Sequence, residues 1–527
     1  MTEAVEAPPG AALGRLAQGF AALTGRRAAL LAFGLGLVAA LALPPLYLVP
    51  LLWPAFCGLV WLLDCAPDWR RSFLVGWCFA FGYFVAGLFW IGSAVLIVAE
   101  SFWWFLPVPV IGLPALLGIF FGLGIVAARR FCWRGPARVL SLAAAWLFVE
   151  WLRSWVFTGF PWNQPGSVWA FSDAMLQFAA LAGVWGLTLV TVVAAAAPAT
   201  LADGGSRALR WGLPAASLAL LAAIWLGGLL RLGAAPAPGE DLQAGLRFRL
   251  VQPAIEQSLK WRPELRLKHL QEMAALSRGA GAEAVTHVVW PEMAFTFPLG
   301  QDPQTMAALT SAVPARGLLF TGLPRVAANA AGETEVWNSL AAVSPEGRAV
   351  AGYDKEHLVP FGEYVPDLLN RVLGMAKLTH GRRDFSRGPG RQTLEIPGLP
   401  PVSPLICYEV IFPGAVTAGG VAWILNLTND AWFGETTGPH QHFASARLRA
   451  VEEGLPLLRV ANSGISAVVD GYGRVLQQLP LGARGVIDSG LPRPVQGGTP
   501  FGKLGNFSLL VLLALTVLLT KGLGRYA

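Results

Sequence analysis

Apolar runs recur seven times before residue 231, at 28–43, 45–63, 73–98, 104–127, 138–152, 175–200 and 211–230, and a shorter eighth lies at 507–520. Most approach the roughly 20 residues that a helix needs to cross a hydrocarbon core about 30 Å thick. Between the seventh and eighth stands one polar segment, residues 231–506, long enough to build a core of its own. Such a pattern admits a polytopic α-helical membrane protein of about eight spans with a globular domain attached. Hydrophobic residues at 54% and charged residues at 13% exclude an ordinary soluble or disordered chain. Five cysteines in 527 residues provide no disulfide framework.

The net charge of +7 could suggest a nucleic-acid partner, but its distribution argues otherwise. Residues 1–230 contribute +4, residues 231–506 only +1, and Lys521 with Arg525 the remaining +2. The excess therefore sits between apolar runs, and no nucleic-acid partner is expected. Arg15, Arg26 and Arg27 precede the first run, and Arg70 with Arg71 follow the second. Arg129, Arg130, Arg134 and Arg138 follow the fourth, and Arg207 with Arg210 the sixth. By the positive-inside rule both termini face the cytoplasm, and 231–506 lies on the opposite side. The expected domains are thus 1–230, with about seven spans; 231–506, with its core at about 243–490; and 507–527, a last span with a short tail. Ser154–Ala174, rich in Trp, Phe and Pro, reads as an interfacial aromatic belt.

Within 231–506, Leu246–Val251, Thr286–Trp290, Gly317–Thr321, Ser339–Val343, Pro404–Ile406, Val421–Leu425 and Ser466–Val469 read as short buried strands. Pro263–Arg278, Pro303–Val313 and Gly438–Glu453 have helical spacing, so the class is α/β. Cys407 is the only cysteine in this domain, at the end of the strand Val402-Ser403-Pro404-Leu405-Ile406. A lone thiol in an oxidising compartment is either deeply buried or kept for reactivity. Two further strands end on charge: Val288-Val289-Trp290-Pro291-Glu292, where Pro291 forbids continuation, and Ala349–Asp354, followed by Lys355. One sheet edge could gather all three. A thiol with an ordinary pKa of about 8.5 is mostly protonated at neutral pH, so a carboxylate must take its proton as sulfur attacks. A lysine would then stabilise the tetrahedral oxyanion.

Trp290-Pro291-Glu292, Tyr353-Asp354-Lys355 running to Pro360-Phe361-Gly362-Glu363-Tyr364, Ile406-Cys407-Tyr408-Glu409 and Asn429-Asp430-Ala431-Trp432-Phe433-Gly434 together resemble the carbon-nitrogen hydrolase (nitrilase) superfamily. With the membrane runs, the whole chain is similar to that superfamily's membrane branch, the apolipoprotein N-acyltransferases. The resemblance implies an extracytoplasmic αββα sandwich with Glu292 as general base, Lys355 as oxyanion stabiliser and Cys407 as nucleophile. Glu363, Tyr408 and Glu409 would support them, and Trp261 would lie on a loop at the substrate entrance. Phe295, Phe361, Trp432 and Phe433 adjoin these motifs and either line a hydrophobic cleft or pack as core. Implied partners are a phosphatidylethanolamine-like acyl donor, a diacylated apolipoprotein acceptor and the bilayer of a bacterial inner membrane. A monomer with no cofactor and no metal is expected. A membrane-bound amidase or esterase that lets water resolve the thioester uses the same residues and is the alternative. A Cys-His dyad using His357 or His442 would leave Glu292 and Lys355 without roles.

Overall fold

All eight apolar runs are helical in the computed structural model of the chain, which describes residues 11–328, 332–365 and 384–525. Five helices there are both long and apolar enough to cross a membrane: Trp69–Ile97, Trp103–Phe131, Ala179–Ala202, Arg207–Gly233 and Phe507–Gly524. Gly25–Ala40, Val49–Asp64 and Ala137–Leu152 occupy the other three runs and are shorter. Pro44 and Pro45 fall in the gap between the first two helices, where the proline ring cannot continue a hydrogen-bonded turn.

The chain divides into two compact units. One comprises the described residues up to Phe89 together with Trp104–Gly233 and Leu504 onward, and the other comprises Trp90–Trp103 and Ala234–Lys503. In the first, helices Gly25–Ala40 and Trp69–Leu88 touch backbone to backbone. A Cβ on Gly36 would lie 2.0 Å from the Phe79 carbonyl oxygen, and one on Gly82 would lie 2.2 Å from that of Phe33. Small residues at such crossings let dispersion act over a long contact. The loop 154–174 departs from a simple aromatic belt. Trp155 and Phe157 are exposed, but Trp162 is sealed, because the buried Arg153 pairs with Glu150 at 2.5 Å and donates to the Trp162 carbonyl at 2.7 Å. A buried guanidinium needs such partners, and here they fold the loop inward.

The second unit carries eleven strands among the described residues: β1 (Leu242–Gln252), β2 (His287–Val289), β3 (Leu318–Ala328), β4 (Thr334–Val343), β5 (Ala349–Asp354), β6 (Val402–Ile406), β7 (Trp423–Thr428), β8 (Leu457–Ala461), β9 (Ser466–Val469), β10 (Val475–Leu479) and β11 (Gly485–Pro492). One sheet has the order β11-β1-β2-β3-β4-β5 and the other β10-β9-β8-β7-β6. Strand alternation sorts the side chains by face. Phe248, Leu250, Val289, Phe320 and Leu340 of the first sheet share one apolar core with Ile406, Trp423, Leu425, Leu427, Leu458 and Val460 of the second. Val251, Val288, Leu319 and Val343 face the opposite way and pack with Leu270, Met273 and Leu309 of helices Pro263–Ser277 and Pro303–Thr310. Helix Thr437–Glu453 packs on β8. The layers are therefore helix, sheet, sheet, helix. β6, β7 and β8 run parallel and are buried along their length, as parallel strands covered on both faces are.

Candidate active site

Two of the three strand ends, those bearing Glu292 and Lys355, pair directly, and both charges act on the Cys407 thiol at the third. β2 stops at Val289, and Trp290-Pro291 carries the chain into a tight turn bearing Glu292. The turn lies so close to β3 that a Cβ on Gly322 would sit 2.4 Å from the Met293 nitrogen and 2.7 Å from the Glu292 Cα, so only glycine fits there. Lys355 follows β5, and its Nζ lies 3.6 Å from Glu292 Oε1 and 2.9 Å from Glu363 Oε2. Its side chain is 1% exposed. Burial alone would push the ammonium's pKa down, but the carboxylates of Glu363 and Glu292 outweigh it and hold it above the usual lysine range.

Cys407 directly follows β6 and adopts φ +52°, in the left-handed region that a residue with a side chain seldom occupies. The thiol is buried and hydrogen-bonded to Thr428. Burial, then the charge of Glu292, push its pKa up, with Lys355 opposing them. The resting group is a thiol, and a thiolate forms only if something takes the proton.

Glu409 ties the two sheets together at this point. Its Oε1 accepts from the Tyr353 hydroxyl at 2.7 Å and from the N–H groups of Glu356 and His357 at 2.8 and 3.0 Å, while Oε2 accepts from the Ile406 N–H at 2.7 Å. One carboxylate thus clamps the chain on both sides of Lys355 to the residue before Cys407. Burial nevertheless pushes its pKa up to about 7. Glu363 accepts from the Val359 N–H at 2.8 Å, which orients it toward Lys355.

Two contributors escaped the sequence reading. Asn338 on β4 donates through Nδ2 to Glu292 Oε1 at 2.7 Å and to Glu363 Oε1 at 2.8 Å, bridging the two acids that flank the lysine. Lys260, 3% exposed, donates to the Glu292 carbonyl at 3.0 Å. Burial brings its pKa down to about 8, against the charges of Glu292 and Cys407. In sequence Asn338 is one polar residue in a strand and Lys260 one charge on a short helix, and neither carries a motif of its own.

The remaining predicted residues take different places. Tyr408 is buried, its ring 5.2 Å from that of Phe412. Trp261, Phe361, Trp432 and Phe433 are all half-buried. Phe433 packs 4.5 Å from Trp90 and 5.9 Å from His442. Phe295 is fully buried in the core between sheet and helices, so its ring fills the interior and lines no cleft. His357 stacks on Phe412 at 4.0 Å. Sγ of Cys407, a carboxylate oxygen of Asp430 and a ring nitrogen of His442 lie within 4.8 Å of one another, a donor set that could ligate a metal. Arg459 already donates to Asp430 at 2.8 Å, and a fixed cation there opposes a second positive charge.

Comparison with known proteins matches both parts of the chain. The family model for the apolipoprotein N-acyltransferase N-terminal domain covers residues 35–197, and that for carbon-nitrogen hydrolase covers 247–499. Among curated relatives, the apolipoprotein N-acyltransferase of Rhodopseudomonas palustris is 40% identical over 96% of this chain and 97% of its own. That of Allorhizobium ampelinum is 43% identical over 90% and 91%, and that of Brucella melitensis 40% identical over 96% and 97%. With both segments matched by family models and curated relatives about 40% identical over nearly the whole chain, this chain belongs to the apolipoprotein N-acyltransferase family.

Proposed function

We propose that the protein N-acylates the N-terminal diacylglyceryl-cysteine of bacterial lipoproteins, taking the acyl chain from a phospholipid through a thioester on Cys407. The observation that carries this reading is the ion cluster Glu292–Lys355–Glu363 built beside a buried, protonated thiol. In the first step the Glu292 carboxylate takes the thiol proton as sulfur attacks the ester carbonyl. The Lys355 ammonium, held charged by two carboxylates, stabilises the oxyanion. Collapse expels the lysophospholipid oxygen, which takes the proton from Glu292. In the second step the acceptor's α-amine attacks the thioester, Glu292 accepts an amine proton, and the departing sulfur recovers it. The thiol's proton thus leaves on the lysophospholipid and the amine's proton replaces it, so Glu292 and Cys407 end as they began, and the chemistry uses only these side chains.

The same reading assigns residues 1–230 and 507–527 to eight spans of the inner membrane with both termini cytoplasmic, and 231–506 to a monomeric enzyme's periplasmic domain. The arginine bias of the connecting loops supports that orientation. Long-chain lipids leave a bilayer at a cost of about 0.8 kcal/mol per CH₂, so anchoring the domain at both ends suits a phospholipid donor. Trp261, Phe361, Trp432 and Phe433 are assigned to the acyl-chain approach, and Glu363, Tyr408 and Glu409 to supporting the triad.

The deciding assay supplies phosphatidylethanolamine vesicles with and without a diacylated lipopeptide. Transfer predicts one acyl group gained by the peptide per lysophospholipid released, and no sustained turnover without peptide. Free fatty acid released at the same rate in both arms would identify a hydrolase. Asn338→Leu tests the bridge between the acids. Removing a donor shared by two buried carboxylates leaves each short of a partner, at roughly 1–3 kcal/mol per group. Acyl-Cys407 formation, followed by intact-protein mass spectrometry, is expected to slow about 10- to 100-fold, with Asn338→Gln intermediate.

A further inference from the structure

The mechanism above gives no part to a group of buried polar residues under Cys407. His442, on helix Thr437–Glu453, is fully buried, and its Nε2 lies 3.1 Å from the backbone carbonyl oxygen of Cys407. A carbonyl oxygen can only accept, so this contact puts a proton on Nε2. The other ring nitrogen, Nδ1, lies 2.8 Å from Asp430 Oδ1 and 3.0 Å from Arg459 Nη2. Nδ1 accepts from Arg459 in the neutral ring and donates to Asp430 in the charged one. Burial, then the guanidinium of Arg459, push the His442 pKa down against the pull of Asp430.

Asp430 and Arg459 are themselves immobilised. Arg459, in the middle of β8, donates to Asp430 Oδ2 at 2.8 Å and also to Asn426, its register partner on β7. Thr428 donates to Asp430 Oδ1 at 2.9 Å and is hydrogen-bonded to the Cys407 thiol. Asp430, His442 and Arg459 are each at most 1% exposed. These residues form one closed set of hydrogen bonds running from two parallel strands to the backbone and side chain of Cys407. The strained φ of that residue persists only where its surroundings over-determine it, and a carbonyl gripped by a locked imidazole is such a constraint.

We propose that His442 is a positioning residue for the nucleophile: by donating Nε2–H to the Cys407 carbonyl, backed by Asp430 and Arg459, it holds the left-handed turn that aims the sulfur at the acyl carbon. It does not act as the thiol's base, since the nitrogen nearest the Cys407 backbone already spends its proton on the carbonyl. The inference rests on Cys407 being the nucleophile, and the test separates the two.

Full-length enzyme in phosphatidylethanolamine vesicles is compared as wild type, His442→Phe, His442→Gln and Cys407→Ala. Phe fills the volume without a donor, whereas Gln retains an amide N–H that can reach the carbonyl but cannot serve as a base. Formation of the acyl-Cys407 adduct is expected to fall about 100-fold in H442F at unchanged KM for phospholipid, the loss typical of misaligned reacting atoms. H442Q is expected to recover to within about 10-fold of wild type. Should H442F fail to fold, His442→Met, also without a donor, replaces it. H442Q as inactive as H442F would overturn the positioning role and point to a base. H442F at wild-type rate would overturn it as well. Continued turnover by C407A would instead sink the nucleophile assignment on which the inference stands.

Discussion

Cys407→Ala is expected to abolish both the acyl-enzyme adduct and lipopeptide acylation, at least about 10⁴-fold, while leaving membrane insertion and folding intact. The size follows from what the sulfur does. In this mechanism it is the atom that bonds to the acyl group, so its loss removes the path and not merely a contribution to it. Stability should hardly change, because the thiol's side-chain partner is Thr428, which keeps its bond to Asp430. Cys407→Ser is the sharper variant. It keeps the shape of the turn, but a hydroxyl is a weaker acid and nucleophile than a thiol. Residual activity should therefore be small and should proceed through an ester, heavier than free enzyme by the same acyl mass and stable to hydroxylamine at neutral pH. Undiminished lipopeptide acylation by the alanine variant would end the mechanism.

How much of this site could be read from the chain depended on whether a residue's role was local. Glu292 and Cys407 stand where buried apolar strands stop and Lys355 where a short, mostly exposed strand stops, and a strand that ends in a reactive group is visible in one dimension. The membrane runs were visible for the same reason, since a helix in hydrocarbon must be apolar along its own length. What stayed hidden depends on neighbours distant in sequence. Asn338 matters because β4 places it opposite the chain leading into Lys355, whose N–H donates to its carbonyl at 2.9 Å. β8 was not foreseen because Arg459 interrupts its apolar run, and that arginine is tolerated because Asn426 on β7 and Asp430, two residues past the end of β7, meet it. β10 and β11 lie at sheet edges or carry Gln, Gly and Asp, so their alternation is weak. The aromatic neighbours of the motifs could not be sorted into core and cleft. Phe295 proved to be core because the strand it follows turns it toward the helices, a direction that only the fold decides.

Glu292→Gln is expected to slow adduct formation about 10³- to 10⁴-fold and, at the same time, to make the thiol titrate at lower pH. The two effects have one cause with opposite signs. Glutamine is close to isosteric and can still accept from Asn338 Nδ2, so the architecture should survive. It cannot take a proton, however, and the attacking sulfur then has to shed its own to water in a site that largely excludes it. The charge that disappears is also one that raises the Cys407 pKa, second only to burial. Without it, Lys355 acts on the sulfur less opposed, and the thiolate is stabilised. Alkylation by iodoacetamide across a pH series reads this directly: the midpoint should move down in Glu292→Gln and up in Lys355→Met, where the stabilising ammonium is gone. A structural disturbance would move both variants the same way, whereas opposite movements require the acid and the ammonium to act on the sulfur as separate charges. A midpoint that rose or stood still in Glu292→Gln would mean that this carboxylate does not face the thiol, and the proton would then need another acceptor.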